Sequence, residues 1–295
     1  MTNYLHKVLP PQYSHVNKVY CLLAATVFCA LPLCSTEAAA ENILKYDGTT
    51  NIHGNAKTWA AKNEYDGIDI RVTGVDGGYY TDTTEALVLN NQTLNVKGKG
   101  KFVSIINTAQ NKQIDNNGGI YAKGGSTVNF TDVDSIYIAA IAGKEGGNDS
   151  TVISAKDPGR DFKGYTNIVN ISGNTVQLIG SIDVMHSLGS VFFNRNARHT
   201  VNAALSGSDS FWYGSAIGET DERTTVNLSL ADGATWIFNA GKSTLNAGGI
   251  IRNLKLDKGV VLFADAEVWE TYRKTVIKGT DYVLANYRDH NERYS

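Results

Sequence analysis

Beyond residue 80, apolar and polar residues fall into short runs, most of them alternating with a period of two. Ala86-Leu87-Val88-Leu89, Thr93-Leu94-Asn95-Val96, Phe102-Val103-Ser104-Ile105-Ile106 and Thr127-Val128-Asn129-Phe130 open the series. Ile136-Tyr137-Ile138, Ile168-Val169-Asn170-Ile171, Thr175-Val176-Gln177-Leu178-Ile179 and Thr200-Val201-Asn202-Ala203 continue it. Thr225-Val226-Asn227-Leu228, Trp236-Ile237-Phe238 and Val260-Val261-Leu262-Phe263 close it. Runs of this length, rich in β-branched residues, predict strands whose two faces differ in polarity. Between them lie turn formers such as Asn116-Asn117-Gly118-Gly119 and Lys123-Gly124-Gly125. No stretch of a dozen residues carries an apolar stripe at helical spacing, so the fold class expected beyond residue 40 is all-β.

One motif returns along the chain. Val-Asn-apolar occurs at Val128-Asn129-Phe130, Val169-Asn170-Ile171, Val201-Asn202-Ala203 and Val226-Asn227-Leu228. The Asn-to-Asn steps are 41, 32 and 25 residues (170 − 129, 202 − 170, 227 − 202). A Thr/Asn-rich all-β chain produces such a motif by chance as well. A solenoid, however, gives a reason for it, because each coil repeats one supersecondary unit. Uneven steps then correspond to coils of roughly 20 to 25 residues with loops inserted between strands. The Asn is expected at a coil corner, where it tolerates a left-handed backbone and stacks its amide on the next coil.

The amino terminus is of a different kind. Cys21 to Leu33 is an uncharged apolar stretch preceded by Lys7 and Lys18 and followed by Ala38-Ala39-Ala40. It is shorter than the roughly 20 residues that span a bilayer, and it predicts a secretory signal cleaved after Ala40. Cys34 admits a lipoprotein alternative, which the bulky Leu33 before it disfavours. Cleavage removes Cys21, Cys29 and Cys34, all the cysteines of the chain, and three of its four prolines, leaving Pro158. The remaining 255 residues (295 − 40) carry a net charge of −3 (25 − 28). Without cysteine an exported domain rests on its core alone, and with one proline nearly every backbone N–H is free to enter a sheet ladder. Hydrophobic residues at 42% supply that core. Near-neutral charge with no Lys/Arg run excludes an electrostatic footprint for nucleic acid. No stretch after residue 40 is apolar enough for a membrane-spanning helix.

The segment from Asn227 to Trp236 (NLSLADGATW), followed by Ser243-Thr244-Leu245-Asn246 and Leu254-Lys255-Leu256, resembles the passenger region of bacterial autotransporters of the pertactin type. The resemblance is tight over 225–263 and diffuse elsewhere. It implies a right-handed parallel β-helix over residues 41–285, exported to the surface of a two-membraned bacterium and ending in a polar tail, 286–295. It also implies a carboxy-terminal translocator barrel of about a dozen strands. No such strands follow here, so the chain reads as a truncated or split passenger.

Candidate chemistry is sparse. Gly207-Ser208-Asp209-Ser210 has the wrong order for a serine nucleophile turn. His53, His186, His199 and His290 are scattered and read as surface or corner residues. The Asp/Gly stretches at 66–69 and 76–78 lack a calcium-loop pattern, and no His pair has zinc spacing. Neither metal nor cofactor is therefore expected. The enzyme alternative is a polysaccharide lyase or glycosidase using Asp132, Asp134 and Asp183, or the cluster Asp157, Arg160 and Asp161. Against it stands the absence of any pectinase-like signature. Aromatics remain: Trp59, Trp269, Tyr79-Tyr80, Trp236 as a core residue by resemblance, and Phe211-Trp212-Tyr213, in which alternation turns one or two rings outward. Trp212 and Tyr213 are the candidate binding residues. The function expected is a non-enzymatic adhesin or self-association module, its partner a host surface glycan or protein or another copy. A stalk presenting another domain is the remaining alternative.

Overall fold

A computed structural model describes residues 42–51, 63–75, 84–109, 117–141, 151–156, 164–184, 196–218, 223–238 and 251–263. Ala40, the expected cleavage position, lies outside them, as do the tail 286–295, Asp157, Arg160, Asp161, His53, His186, His290, Trp59, Trp269 and Tyr79-Tyr80. Among the described residues every regular element is a strand and every ladder between strands is parallel. The strands stack coil on coil along three sides, as a parallel β-helix.

Side A holds β4 (Thr93–Lys97), the first part of β7 (Thr127–Ile141), the first part of β9 (Thr166–Ile179), β11 (Arg198–Ser206), β14 (Thr224–Ala231) and β16 (Asn253–Asp257). Side B holds β1 (Ile43–Asn51), β2 (Gly67–Val75), β5 (Phe102–Ala109) and the second parts of β7 and β9. It continues with β12 (Phe211–Gly214), β15 (Thr235–Phe238) and β17 (Val260–Phe263). Side C is a separate sheet of β3 (Thr84–Asn90), β6 (Asn117–Lys123), β8 (Thr151–Ala155), β10 (Ser181–Asp183) and β13 (Ala216–Ile217). Sides A and B form one sheet because β7 and β9 run through the corner between them. The corner in β7 is made by Asp132, at φ 58°, where the register with β9 shifts between Phe130 and Val133. Asp232 and Lys258 take the same left-handed conformation at the corresponding corners of later coils, a role suited to short polar side chains and less usual for Lys.

Period-two alternation places one apolar residue of each strand on its neighbour. Val128, Val169, Val201 and Val226 form one inward column on side A, and Phe130, Ile171, Ala203, Leu228 and Leu254 the next. On side B the column runs Ile70, Ile105, Ile138, Leu178, Trp212, Trp236. On side C it runs Leu87, Ile120, Ile153, Ile182, Ala216. All are essentially buried, and each large aliphatic contributes about 1.5–3 kcal/mol by leaving water.

The recurrent Asn lies between the two inward columns of side A and so points outward, in mid-strand. This corrects the expectation of a corner: the left-handed corners use other residues, and the ladder Asn keep extended backbones within their strands. Stacking of amides on the next coil is as expected. Asn129 Nδ2 donates to Asn95 Oδ1 (2.9 Å), Asn170 to Asn129 (2.7 Å), Asn202 to Asn170 (2.7 Å), Asn227 to Asn202 (2.6 Å) and Asn253 to Asn227 (2.6 Å). Every bond runs towards the amino-terminal coil, ending on Asn95 Nδ2 to the Asn63 carbonyl at 3.1 Å. A continuous chain of this kind polarises its members cooperatively.

Asn202→Asp breaks it at one point. The carboxylate still accepts from Asn227 but turns an oxygen towards Asn170 Oδ1. The expected loss is about 1–3 kcal/mol, read as a lowered denaturant midpoint. Protonation restores a donor, so the introduced carboxyl has a raised pKa in the folded state. The deficit against wild type therefore shrinks as pH falls through that pKa. A deficit independent of pH between 3 and 7 contradicts the ladder.

A second polar column is internal. Ser126, Asn167, His199 and Thr224 enter side A at successive coils and are all buried. Asn167 Oδ1 accepts from the backbone N–H of Gly125 (2.9 Å) and Ser126 (3.0 Å), which turns its Nδ2 towards His199 Nδ1 at 3.1 Å. His199 Nδ1 is the partner of that Nδ2 across the two coils. The surface reading of His199 is thereby corrected: its place just before an inward valine, Val201, puts it on the core side of β11.

Candidate functional site

Strand β12 is short, and alternation sorts its aromatics. Trp212 points into the core and is fully buried; Phe211 and Tyr213 point out, Phe211 half-buried and Tyr213 39% exposed. Trp212 stacks on Trp236 of the next coil with centroids 5.1 Å apart and planes within 7°. Trp236 meets Phe238 edge-on at 5.5 Å. Each indole N–H is satisfied by a glycine carbonyl at the corner between sides B and C, Trp212 by Gly180 (2.9 Å) and Trp236 by Gly214 (3.0 Å). Of the two candidate binding residues, only Tyr213 presents its ring to solvent. Trp212 is occupied with the core.

Tyr213 belongs to an outward column on side B that register extends as Ile179, Tyr213, Ile237 and Leu262. Beside it runs Gln177, Phe211, Thr235 and Val260. None of these eight side chains is charged. Among the described residues the exposed large hydrophobics are Tyr213 (39%), Val260 (41%) and Leu262 (41%), and all three lie on this face. At the amino-terminal end the same columns begin with Lys45 and Asp47, continue with Asp69 and Arg71, and pass through Ser104 and the half-buried Ile106 to Tyr137 and Ala139; Ser104, Tyr137 and Ala139 are buried. Apart from the half-buried Ile106, the apolar side chains of these columns that reach solvent lie on the last four rungs, about 14 Å along the axis at the usual strand spacing.

Side A presents a different surface. The Asn ladder and a neighbouring column of small residues, Ser172, Ala204 and Ser229, floor a shallow groove of about 320 Å³, closed at one end by Lys255. Its amides are already committed to one another along the ladder.

Of the carboxylates of the enzyme alternative that lie among the described residues, Asp183 is not brought to Asp132 and Asp134. Asp132 and Asp134 lie exposed where β7 turns from side A to side B, and Asp134 accepts from Gly100 N (3.0 Å) and Asn174 Nδ2 (3.3 Å). Asp183 is on side C, nearly buried, in an ion pair with Lys156 Nζ at 2.6 Å. Ser210 Oγ donates to the Ser206 carbonyl (2.6 Å) and accepts from Val176 N (3.0 Å), bracing a coil corner. Asp66 Oδ2 accepts from Asn42 N at 3.1 Å, and its Oδ1 lies 3.2 Å from Lys101 Nζ; the backbone N–H, then the ammonium, holds this carboxyl below the usual range. That pair ties the residue preceding β2 to the residue preceding β5 and sits away from the apolar columns. Among the described residues no three His, Cys, Asp or Glu side chains are grouped to hold a metal, and no helix is long and apolar enough to cross a membrane.

No protein-family model, curated protein or solved structure matches this chain.

Proposed function

We propose that the chain is the passenger region of an autotransporter-like protein, exported and displayed on the surface of a two-membraned bacterium. There it works as a non-enzymatic contact module, an adhesin or a self-association element. The observation that supports this reading is the clustering of Tyr213, Val260 and Leu262 on one outward face of an otherwise polar coil stack. Uncovered apolar side chains at adjoining rungs mark an interaction surface more readily than scattered ones do. A rod with a flat side gathers affinity from many weak contacts, and dense display multiplies them. The signal-like residues 1–40 and the resemblance over 225–263 support export and display.

The test is protease shaving of intact cells that produce the protein, with mass spectrometry of the released peptides. Peptides from 225–252 are expected before any lysis. Their release only after the outer membrane is broken contradicts surface display and makes a periplasmic role the better reading.

A further inference from the structure

We infer that Asn91 is an acceptor of N-linked sugar, because of the described Asn-x-Ser/Thr sequences it alone is left open to a glycosyltransferase by the fold. The inference goes beyond the contact reading above and stands whatever partner side B meets. Five such sequences occur, beginning at Asn91, Asn129, Asn148, Asn170 and Asn227. In an exported chain each has the form of an acceptor. Asn148 lies outside the described residues, and the fold sorts the other four.

Three of them are by-products of the amide ladder. Asn129, Asn170 and Asn227 sit half-buried in mid-strand, each with its Nδ2 bonded to the preceding amide. Asn95, Asn202 and Asn253 hold the same place with Lys97, Ala204 and Lys255 two residues on, so the ladder itself requires no hydroxyl there. Each of the three sequences also has a paired strand on either flank. A tripeptide so held cannot be drawn into an enzyme's cleft while the sheet stands.

Asn91-Gln92-Thr93 is placed otherwise. It forms the turn from β3 on side C to β4 on side A, and both Asn91 and Thr93 are exposed. Asn91 has φ 54°, a left-handed conformation that Asn tolerates. Its backbone N–H donates to the Lys123 carbonyl (3.1 Å) and that of Gln92 to Ser126 Oγ (3.2 Å), which fixes the turn. The Asn91 side-chain amide makes no hydrogen bond among the described residues. On one flank β4 pairs with β7; on the other, among the described residues, it meets only the chain around Glu64, at Asn95. Thr93 therefore has a neighbouring rung on one side only, at Thr127.

The donor is a sugar diphosphate ester, carried on a nucleoside or a lipid. Asn91 Nδ2 bonds to the anomeric carbon, the carbon–oxygen bond to the diphosphate breaks, and that oxygen keeps the electron pair. The proton lost from Nδ2 passes to a base of the transferase. The Thr93 hydroxyl is the second half of the recognised sequence.

Mass spectrometry of the full chain, isolated from cells that produce it and digested with trypsin, tests this. The peptide 72–97, which follows Arg71 and ends at Lys97, holds Asn91 as its single Asn-x-Ser/Thr sequence. A fraction of it is expected to be heavier by one or more hexose or N-acetylhexosamine units, mapped to Asn91 by electron-transfer fragmentation. Peptides holding Asn129, Asn170 and Asn227 are expected at their unmodified mass. Thr93→Val should abolish the added mass and Thr93→Ser should keep it, and both should fold as wild type because Thr93 is exposed. An unmodified 72–97 peptide, a sugar mapped to one of its threonines, or a modification that survives Thr93→Val each overturns the inference. Sugars on the ladder asparagines as well would show that the fold does not select the site, and would overturn it too.

Discussion

Trp236→Ala is expected to cost about 3–5 kcal/mol, the range for deleting a buried indole. The side chain is fully buried, stacked on Trp212 and in edge contact with Phe238. Removal leaves a void between two coils that the backbone ladder holds at fixed spacing, so collapse around it is limited. Trp236→Phe keeps an aromatic ring but leaves the Gly214 carbonyl without its indole donor, and should cost about 1–3 kcal/mol. Because each coil of a solenoid contacts only its neighbours, the loss should be local. Amide exchange should accelerate first in β12, β15 and β17 and least in β2 and β3. A midpoint change under about 1 kcal/mol for the alanine variant, or acceleration spread evenly over all strands, contradicts this packing.

Gly214→Ala is the second large effect. Gly214 has φ 157°, and a Cβ there would stand 2.1 Å from the carbonyl oxygen of Gly180 and 2.7 Å from its carbon. Both are backbone atoms of the adjoining coil, and the same Gly180 oxygen accepts the Trp212 indole N–H. The corner can admit a methyl only by prising the end of β12 from the end of β9, where Gly180 N donates to the Tyr213 carbonyl, or by turning Trp212 off its acceptor. Overpacking and backbone strain each cost about 1–3 kcal/mol, and they act together here. Gly98→Ala is the control: its φ is also positive, 97°, but a Cβ there meets nothing within 4 Å. Gly214→Ala should therefore lower the unfolding midpoint clearly more than Gly98→Ala, and equal effects would contradict the close approach of the two coils.

Much of the fold was legible in the sequence because one rule, alternation, governs nearly every strand. The four Val-Asn-apolar motifs pair residue on residue as consecutive rungs of side A. Two further rungs escaped the motif. Leu94-Asn95-Val96 replaces the first valine by another inward aliphatic, and Arg252-Asn253-Leu254 replaces it by Arg252 where β16 begins. The ladder steps of 34, 41 and 32 residues, settling at 25 and 26, match coils of roughly 20 to 25 residues lengthened by inserted loops in the middle of the stack. Turn-rich insertions between strands carry no periodic signal, so the sequence did not show where in each coil they fall. Placing Asn at a corner followed its general tolerance of left-handed backbone. Mid-strand, the amide hydrogen bond to the next coil decided instead.

The candidate surface was legible only in part. Alternation in Phe211-Trp212-Tyr213 leaves two solutions, and three aromatics suit the core equally well. The deciding signal was available at Trp236, which follows a Val-Asn-apolar strand and a Gly-containing turn just as Trp212 does. Two indoles at equivalent places in adjacent coils stack, and that fixes Tyr213 outward. Val260 and Leu262 gave no sign of exposure, since Val260-Val261-Leu262-Phe263 is apolar on both faces of its strand. His199 and Asp183 were buried by register, which pairs residues far apart in sequence and is invisible until the coils are aligned.

The stacking itself is tested most directly by distances along one outward column. Lys97, Ala204, Ser229 and Lys255 lie on side A in register, beside the Asn ladder. With Cys21, Cys29 and Cys34 replaced by Ser, spin labels can be placed at residue 97 and, in turn, at 204, 229 and 255, and their separations read by dipolar spectroscopy. The coil stack predicts separations centred near about 14, 19 and 24 Å, one strand spacing more for each rung. Separations that instead fail to rise by equal steps, or that exceed about 35 Å for the 97–255 pair, five rungs apart, would contradict an in-register parallel β-helix.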